Sequence, residues 1–219
     1  VKIDTGMHRQ GFYLNDLPRV VKQVANSKSR IDKRYAISAL LKGVYTHFAS
    51  AKDINYPTYT ERQFAEFEKA INDPEVYEDK IRFRFIGRIN LFPEKVKEKM
   101  YLLMEKTKNH DNLIVNFAMA YGGRAEIIDA ARKIAEKIKS GELNVKDVNE
   151  ETFEEYLYMK DKPDMIIRTS GEKRTSGFLL WQGEFSEWFF VDKYWPEFEK
   201  EDFLKCVDEF SKRDRRFGK

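Results

Sequence analysis

Residues 163–182 read Pro-Asp-Met-Ile-Ile-Arg-Thr-Ser-Gly-Glu-Lys-Arg-Thr-Ser-Gly-Phe-Leu-Leu-Trp-Gln, and residues 185–196 read Phe-Ser-Glu-Trp-Phe-Phe-Val-Asp-Lys-Tyr-Trp-Pro. Met165-Ile166-Ile167 is apolar and short, the form of a buried strand. It breaks into a polar loop holding Arg168, Thr169, Ser170, Gly171, Lys173, Arg174, Thr175 and Ser176. Ligands of open α/β sheets bind outside the carboxyl ends of strands, which is where this loop falls. Two guanidinium forks, several hydroxyls and the N–H groups freed at Gly171 and Gly177 suit a diphosphate. A carboxylate at Glu187, close to the next strand, could hold Mg²⁺ that a diphosphate completes. The competing reading is a solvated turn between two core strands, and residue chemistry alone leaves both open.

Outward from this stretch, apolar or β-branched runs recur at Val44–Phe48, Ile81–Ile86, Leu113–Phe117, Phe178–Trp181 and Trp188–Val191. Helical patterns stand between them. Thr60-Glu61-Arg62-Gln63 has capping-box spacing, followed by Phe64, Phe67 and Ile71 on one face. Pro93 opens a helix carrying Val96, Met100 and Met104. Gly123 precedes Ile127, Ile128, Ala131, Ile134 and Ile138, and Gly141 ends that helix. Phe203, Val207 and Phe210 stripe the last one. Strands alternating with helices predict an α/β fold. The Phe and Met stripes are read as core, Glu94–Lys99 as a solvated face, and His110 as a residue of a polar turn.

The chain has 219 residues, 42% hydrophobic and 35% charged, with a formal net charge of +3. That length suits one domain, here residues 1–219, with no linker or repeat dividing it. No apolar run approaches the roughly 18 residues of a membrane span. Val1-Lys2-Ile3-Asp4 does not read as a secretory signal. The single Cys206 excludes a disulfide framework and fits a reducing cytoplasmic location. The balanced charge gives no support for a nucleic-acid partner.

The 163–196 stretch resembles the signature region of the cis-prenyltransferases, the undecaprenyl diphosphate synthase family. Further segments agree in order: Ile81–Gly87 resembles its central strand, and Asn116–Arg124 its strand and Tyr-Gly-Gly-Arg turn. Trp195–Phe198 resembles its Trp-Pro-x-Phe segment, and Arg215–Gly218 its C-terminal Arg-x-Gly motif. The resemblance is dense from about residue 80 onward. It implies a single, mostly parallel six-stranded sheet flanked by helices, in a homodimer. The implied reaction condenses isopentenyl diphosphate with an allylic diphosphate, farnesyl or geranylgeranyl, to form a cis-polyprenyl diphosphate. Arg168, Arg174 and Ser176 would bind the isopentenyl diphosphate head, Glu187 would ligate Mg²⁺, and Arg216 and Gly218 would act across the dimer. An apolar tunnel for the product would have the helix from about Glu61 to Ile71 as a wall. The lipid product implies peripheral membrane contact.

The first sixty residues depart from the family. Its Asp-Gly-Asn-Arg-Arg loop has its nearest counterpart in Asp4-Thr5-Gly6-Met7-His8-Arg9, with one residue inserted and no Asn. On that placement Asp4 would be catalytic and a metal ligand, and Gly6 and Arg9 would bind substrate. A terminal segment with no part in the site is the other reading. The Gly-His-x-x-Gly segment is not recognisable. Phe48–Pro57 aligns with the family's Ala-Phe-Ser-x-Glu-Asn-x-x-Arg-Pro, keeping Ser50 and Pro57 but placing Asp53 for asparagine and Tyr56 for arginine. Ser50 and Asp53 are candidate catalytic residues there. Asp53 adds a negative charge and Tyr56 removes a positive one from an allylic diphosphate site, so two alternatives stand beside an active transferase. One is a relative with altered prenyl diphosphate chemistry, the other a non-catalytic accessory subunit.

Overall fold

The computed structural model describes residues 72 and 74–213, together with the backbone of two short strands at 2–4 and 45–47. The strands are β1 (Lys2–Asp4), β2 (Tyr45–His47), β3 (Ile81–Gly87), β4 (Leu113–Met119), β5 (Met165–Arg168) and β6 (Glu187–Phe190). The helices are α1 (Pro74–Glu78), α2 (Glu94–Lys106), α3 (Gly123–Lys139), α4 (Glu150–Glu154) and α5 (Lys200–Lys212). The strands form three parallel pairs, β1–β2, β3–β4 and β5–β6, and β2 runs beside β4. The α/β class and the parallel pairing agree with the sequence. The expected helix at 61–71 lies outside the described residues, as do Gly6, Arg9, Ser50, Asp53, Arg216 and Gly218.

Alternation along β3 and β4 builds two cores. Ile81, Phe83 and Phe85 share a face with Leu113, Val115, Phe117 and Met119, and α2 covers it with Val96, Met100 and Leu103. Phe117 stacks against both Phe83 and Phe85, with ring centroids 5.7 and 5.2 Å apart. Ile86 and Ala118 turn to the opposite face and meet Met159 and Leu179. Burial on both faces explains why β4 reads as a nearly continuous apolar run, whereas β3 alternates Ile81, Phe83 and Phe85 with the half-buried Arg82 and Arg84. Gly87 ends β3 at φ +105°, and a Cβ there would lie 2.2 Å from the Met119 carbonyl oxygen, so the pair can close only on glycine.

Three expectations are corrected. Phe178–Trp181 is not a strand but part of a run of turns, with Leu179 at φ +47°. In α3 the inward face is Gly123, Glu126, Ala130 and Ile134, whereas Ile128 and Ala131 are exposed. The helix is turned by a buried carboxylate that has found its own donors. In α5 the buried residues are Asp202 and Cys206 rather than the Phe203, Val207 and Phe210 stripe. Asp202 closes a capping box with Glu199 and accepts a hydrogen bond from Lys193 Nζ at 2.7 Å. His110 stands in its polar turn, as read from the sequence, with its Nδ1 2.8 Å from the Ile81 carbonyl oxygen and its ring edge-on to Tyr77.

Candidate functional site

The loop after β5 is held from two sides. Its base is tied to the chain beyond β6, where Ser170 N–H donates to Lys193 O at 2.8 Å and Gly171 N–H to Val191 O at 3.0 Å. Its far end meets the first turn of α3, where Gly123 N–H donates to Gly177 O at 2.9 Å. The Tyr121–Arg124 turn and the 168–177 loop, separate in sequence, are therefore one junction. Ser170 and Ser176 adopt φ +81° and +49°, and Ala120 and Leu179 nearby adopt +45° and +47°. Left-handed backbone costs a non-glycine residue about 1–3 kcal/mol, and four such residues gather in the loops after β4 and β5. Strain of this kind persists where surrounding structure over-determines it, as at binding sites.

Arg168 ends β5 with its guanidinium turned into this loop. Its Nη1 donates to Ser176 Oγ at 2.9 Å and to the Arg174 carbonyl oxygen. Its Nε is buried with no hydrogen-bond partner among the described residues. A buried charged donor without an acceptor is costly, and an anion seated there would remove that cost. Burial, then the neighbouring charge of Arg174, depresses the Arg168 pKa below the ordinary guanidinium value. Arg174 is exposed and pairs with Glu172. Arg168 thus meets Ser176 and the Arg174 backbone in one loop, while the Arg174 guanidinium turns to Glu172.

Glu187 is not brought to them within a single chain. The β5–β6 register sets Glu187 beside Met165 and Arg168 beside Phe190. That is a separation of three residues, roughly 10 Å along the strands. An odd offset also turns the two side chains to opposite faces of the pair. Glu187 Oε2 instead accepts a hydrogen bond from Arg213 Nη1 at 2.6 Å. Among the described residues no three His, Cys, Asp or Glu side chains gather to hold a metal ion. These residues alone therefore do not fit a divalent-cation site, and no chemical step is derived through one. Asp4 sits in β1 opposite His47 in β2.

Two polar networks escaped the sequence reading. Glu126, 1% exposed, accepts hydrogen bonds from Tyr121 Oη, Tyr158 N–H and Gln182 Nε2 at 2.5, 2.9 and 2.9 Å. It fastens the turn before α3 to the segment after the Arg168 loop. Its signal was its place on the inward helical spacing of Gly123, Ala130 and Ile134. One turn further on, Arg88 binds Asp129 through two bonds of 2.8 and 2.9 Å, and Tyr158 Oη donates to the same carboxylate. Burial, then the Asp129 carboxylate, pushes the Tyr158 phenol up to about 12. The Arg88 hydrogen bond is the main cause that brings the Asp129 carboxyl down from 3.8 to about 2. A depressed folded-state pKa contributes stability above the unfolded value and loses it as pH falls through the folded one. Unfolding free energy should therefore fall more steeply from about pH 4 to about pH 2 in the parent protein than in Asp129→Asn. Parallel urea-derived curves would remove this pair from the acid response.

The family model described as "Putative undecaprenyl diphosphate synthase" matches residues 43–218. A second, for the N-terminal domain of alanine racemase, matches residues 1–84. The tritrans,polycis-undecaprenyl-diphosphate synthase (geranylgeranyl-diphosphate specific) of Methanocaldococcus jannaschii is 47% identical over 157 residues, covering 70% of this chain and 56% of that protein. The synthase of the same name from Methanopyrus kandleri is 43% identical over 186 residues, covering 82% of this chain and 69% of that one. The chain thus spans little more than half the length of the first of these relatives. Among solved structures, lavandulyl diphosphate synthase from Lavandula x intermedia in complex with dimethylallyl diphosphate superposes with TM-score 0.76 at 28% identity, covering 94% of this chain and 86% of that one. The "probable undecaprenyl diphosphate synthase" of Campylobacter jejuni gives 0.73 at 28% identity, covering 92% and 91%.

Proposed function

Because the chain belongs to the undecaprenyl diphosphate synthase family, we propose that it binds isopentenyl diphosphate in the loop after β5 and condenses it with an allylic prenyl diphosphate into a cis-polyprenyl diphosphate. The observation that carries this reading is Arg168: one nitrogen is braced by Ser176 Oγ while the buried Nε points at no partner. Arg168 and Arg174 neutralise and orient a headgroup that would otherwise repel the second diphosphate. Positioning and leaving-group stabilisation, rather than covalent catalysis, then lower the barrier. Geranylgeranyl diphosphate is the preferred allylic substrate in this proposal, after the archaeal relatives' specificity. Mg²⁺ is proposed as the counter-ion that accompanies the diphosphates. The proposal extends to one six-stranded sheet and a cytoplasmic homodimer with peripheral membrane contact, Arg216 and Gly218 of each copy serving the other's site.

Mass spectrometry of products formed from isopentenyl diphosphate with dimethylallyl, geranyl, farnesyl or geranylgeranyl diphosphate tests the reaction. A ladder of five-carbon increments is expected. Arg174→Ala should weaken isopentenyl diphosphate about tenfold or more, the scale of a lost hydrogen bond to a charged group. Unchanged calorimetric affinity would take Arg174 out of the site.

Isopentenyl diphosphate binding without product from any of the four allylic partners would overturn the proposed condensation.

A further inference from the structure

Arg213 stands where the chain leaves α5, in extended backbone at φ −83° and ψ 132°. Its guanidinium is fixed on three sides. Nη1 donates to Glu187 Oε2 at 2.6 Å, Nη2 donates to Glu209 Oε1 at 2.5 Å, and Cζ lies 4.2 Å from the centre of the Phe189 ring. Phe189 is buried, and the Glu187 and Arg213 side chains are 28% and 33% exposed, so water is kept from much of the contact. An isolated surface ion pair contributes little, but two carboxylates and an aromatic face around one planar fork set its direction.

We infer that Glu187, with Glu209 and Phe189, clamps Arg213 and so fixes where the chain leaves α5 on its way to Arg216 and Gly218. Glu187 is then a positioning residue that acts through Arg213. The register supports this role, since β5–β6 carries Glu187 away from Arg168 and toward the end of α5. The clamp links the strand pair that presents the Arg168 loop to the helix that precedes the Arg-x-Gly segment. The link from clamp to substrate rests on the proposed function, whereas the clamp itself does not.

The test uses the full chain and the variants Glu187→Gln, Arg213→Gln and their double. Hydrogen exchange is followed over residues 205–213, and isopentenyl diphosphate affinity is measured by calorimetry in EDTA and again with Mg²⁺. Each single variant should raise exchange in the last turn of α5 by about tenfold, the scale of one charge-assisted bond, and the double no further. Affinity should fall about three- to tenfold in both singles, equally in EDTA and with Mg²⁺, again without addition in the double. Unchanged exchange in Glu187→Gln would overturn the clamp. So would an affinity loss confined to Glu187→Gln and seen only with Mg²⁺, the signature of a metal ligand. If the parent protein binds no isopentenyl diphosphate, the proposed function fails, and exchange alone decides the clamp.

Discussion

Gly123→Ala should destabilise the protein by about 2–3 kcal/mol and, in the same stroke, lower its affinity for isopentenyl diphosphate. The Cβ would stand 2.4 Å from Gly177 O and 2.8 Å from Leu180 Cγ. A leucine tip can rotate away, but a backbone carbonyl cannot move without its chain. The 2.9 Å bond from Gly123 N–H to Gly177 O would open, and Ser176 with its brace on Arg168 would be displaced. Urea unfolding reads the first effect through the midpoint at constant slope, and calorimetry reads the second. Gly122→Ala is the control, because nothing stands within 4 Å of its Cβ position. A Gly123→Ala protein with parent-like stability and affinity would show that the two loops are not mechanically joined.

Arg168→Lys should cost about ten- to a hundredfold in isopentenyl diphosphate affinity, although the charge is kept. Arg168 uses one nitrogen on Ser176 and the Arg174 carbonyl and leaves another buried and unmatched, so the site depends on the separation of nitrogens within one rigid plane. An ammonium group can satisfy one of those positions and not the other. Arg174→Lys should be milder, since Arg174 is exposed and pairs only with its neighbour Glu172 among the contacts seen. Equal losses in the two lysine variants would mean that both arginines serve as diffuse positive charge, not as a braced fork.

Much of this was legible in the residues. The runs at Ile81–Ile86, Leu113–Phe117 and Met165–Ile167 became strands within one or two residues of their expected ends. β4 is buried on both faces and its apolar residues run almost without interruption, while in β3 every second residue from Ile81 to Phe85 is buried, the period of a strand. Phe178–Trp181 misled because an apolar run in a turn looks the same as a strand, and only the left-handed backbone at Leu179 separates them. The stripe of α3 misled for a related reason. Glu126 is polar, yet it is buried on that helix with Gly123, Ala130 and Ile134, because donors from three separate segments meet it.

By itself the sequence determined the α/β alternation and the placing of Arg168, Arg174 and Ser176 in one loop after β5. Both depend on residues within about ten positions of one another, where spacing dictates geometry. Only the tertiary structure decided which distant segments share a junction. Gly123 against Gly177, Tyr121 with Gln182 through Glu126, and Arg88 on Asp129 all join residues dozens of positions apart. Glu187 shows the difference most clearly. Its nearness to the arginine loop in sequence suggested a shared site, but the register of two parallel strands carried it to the other end and the other face, into the grip of Arg213.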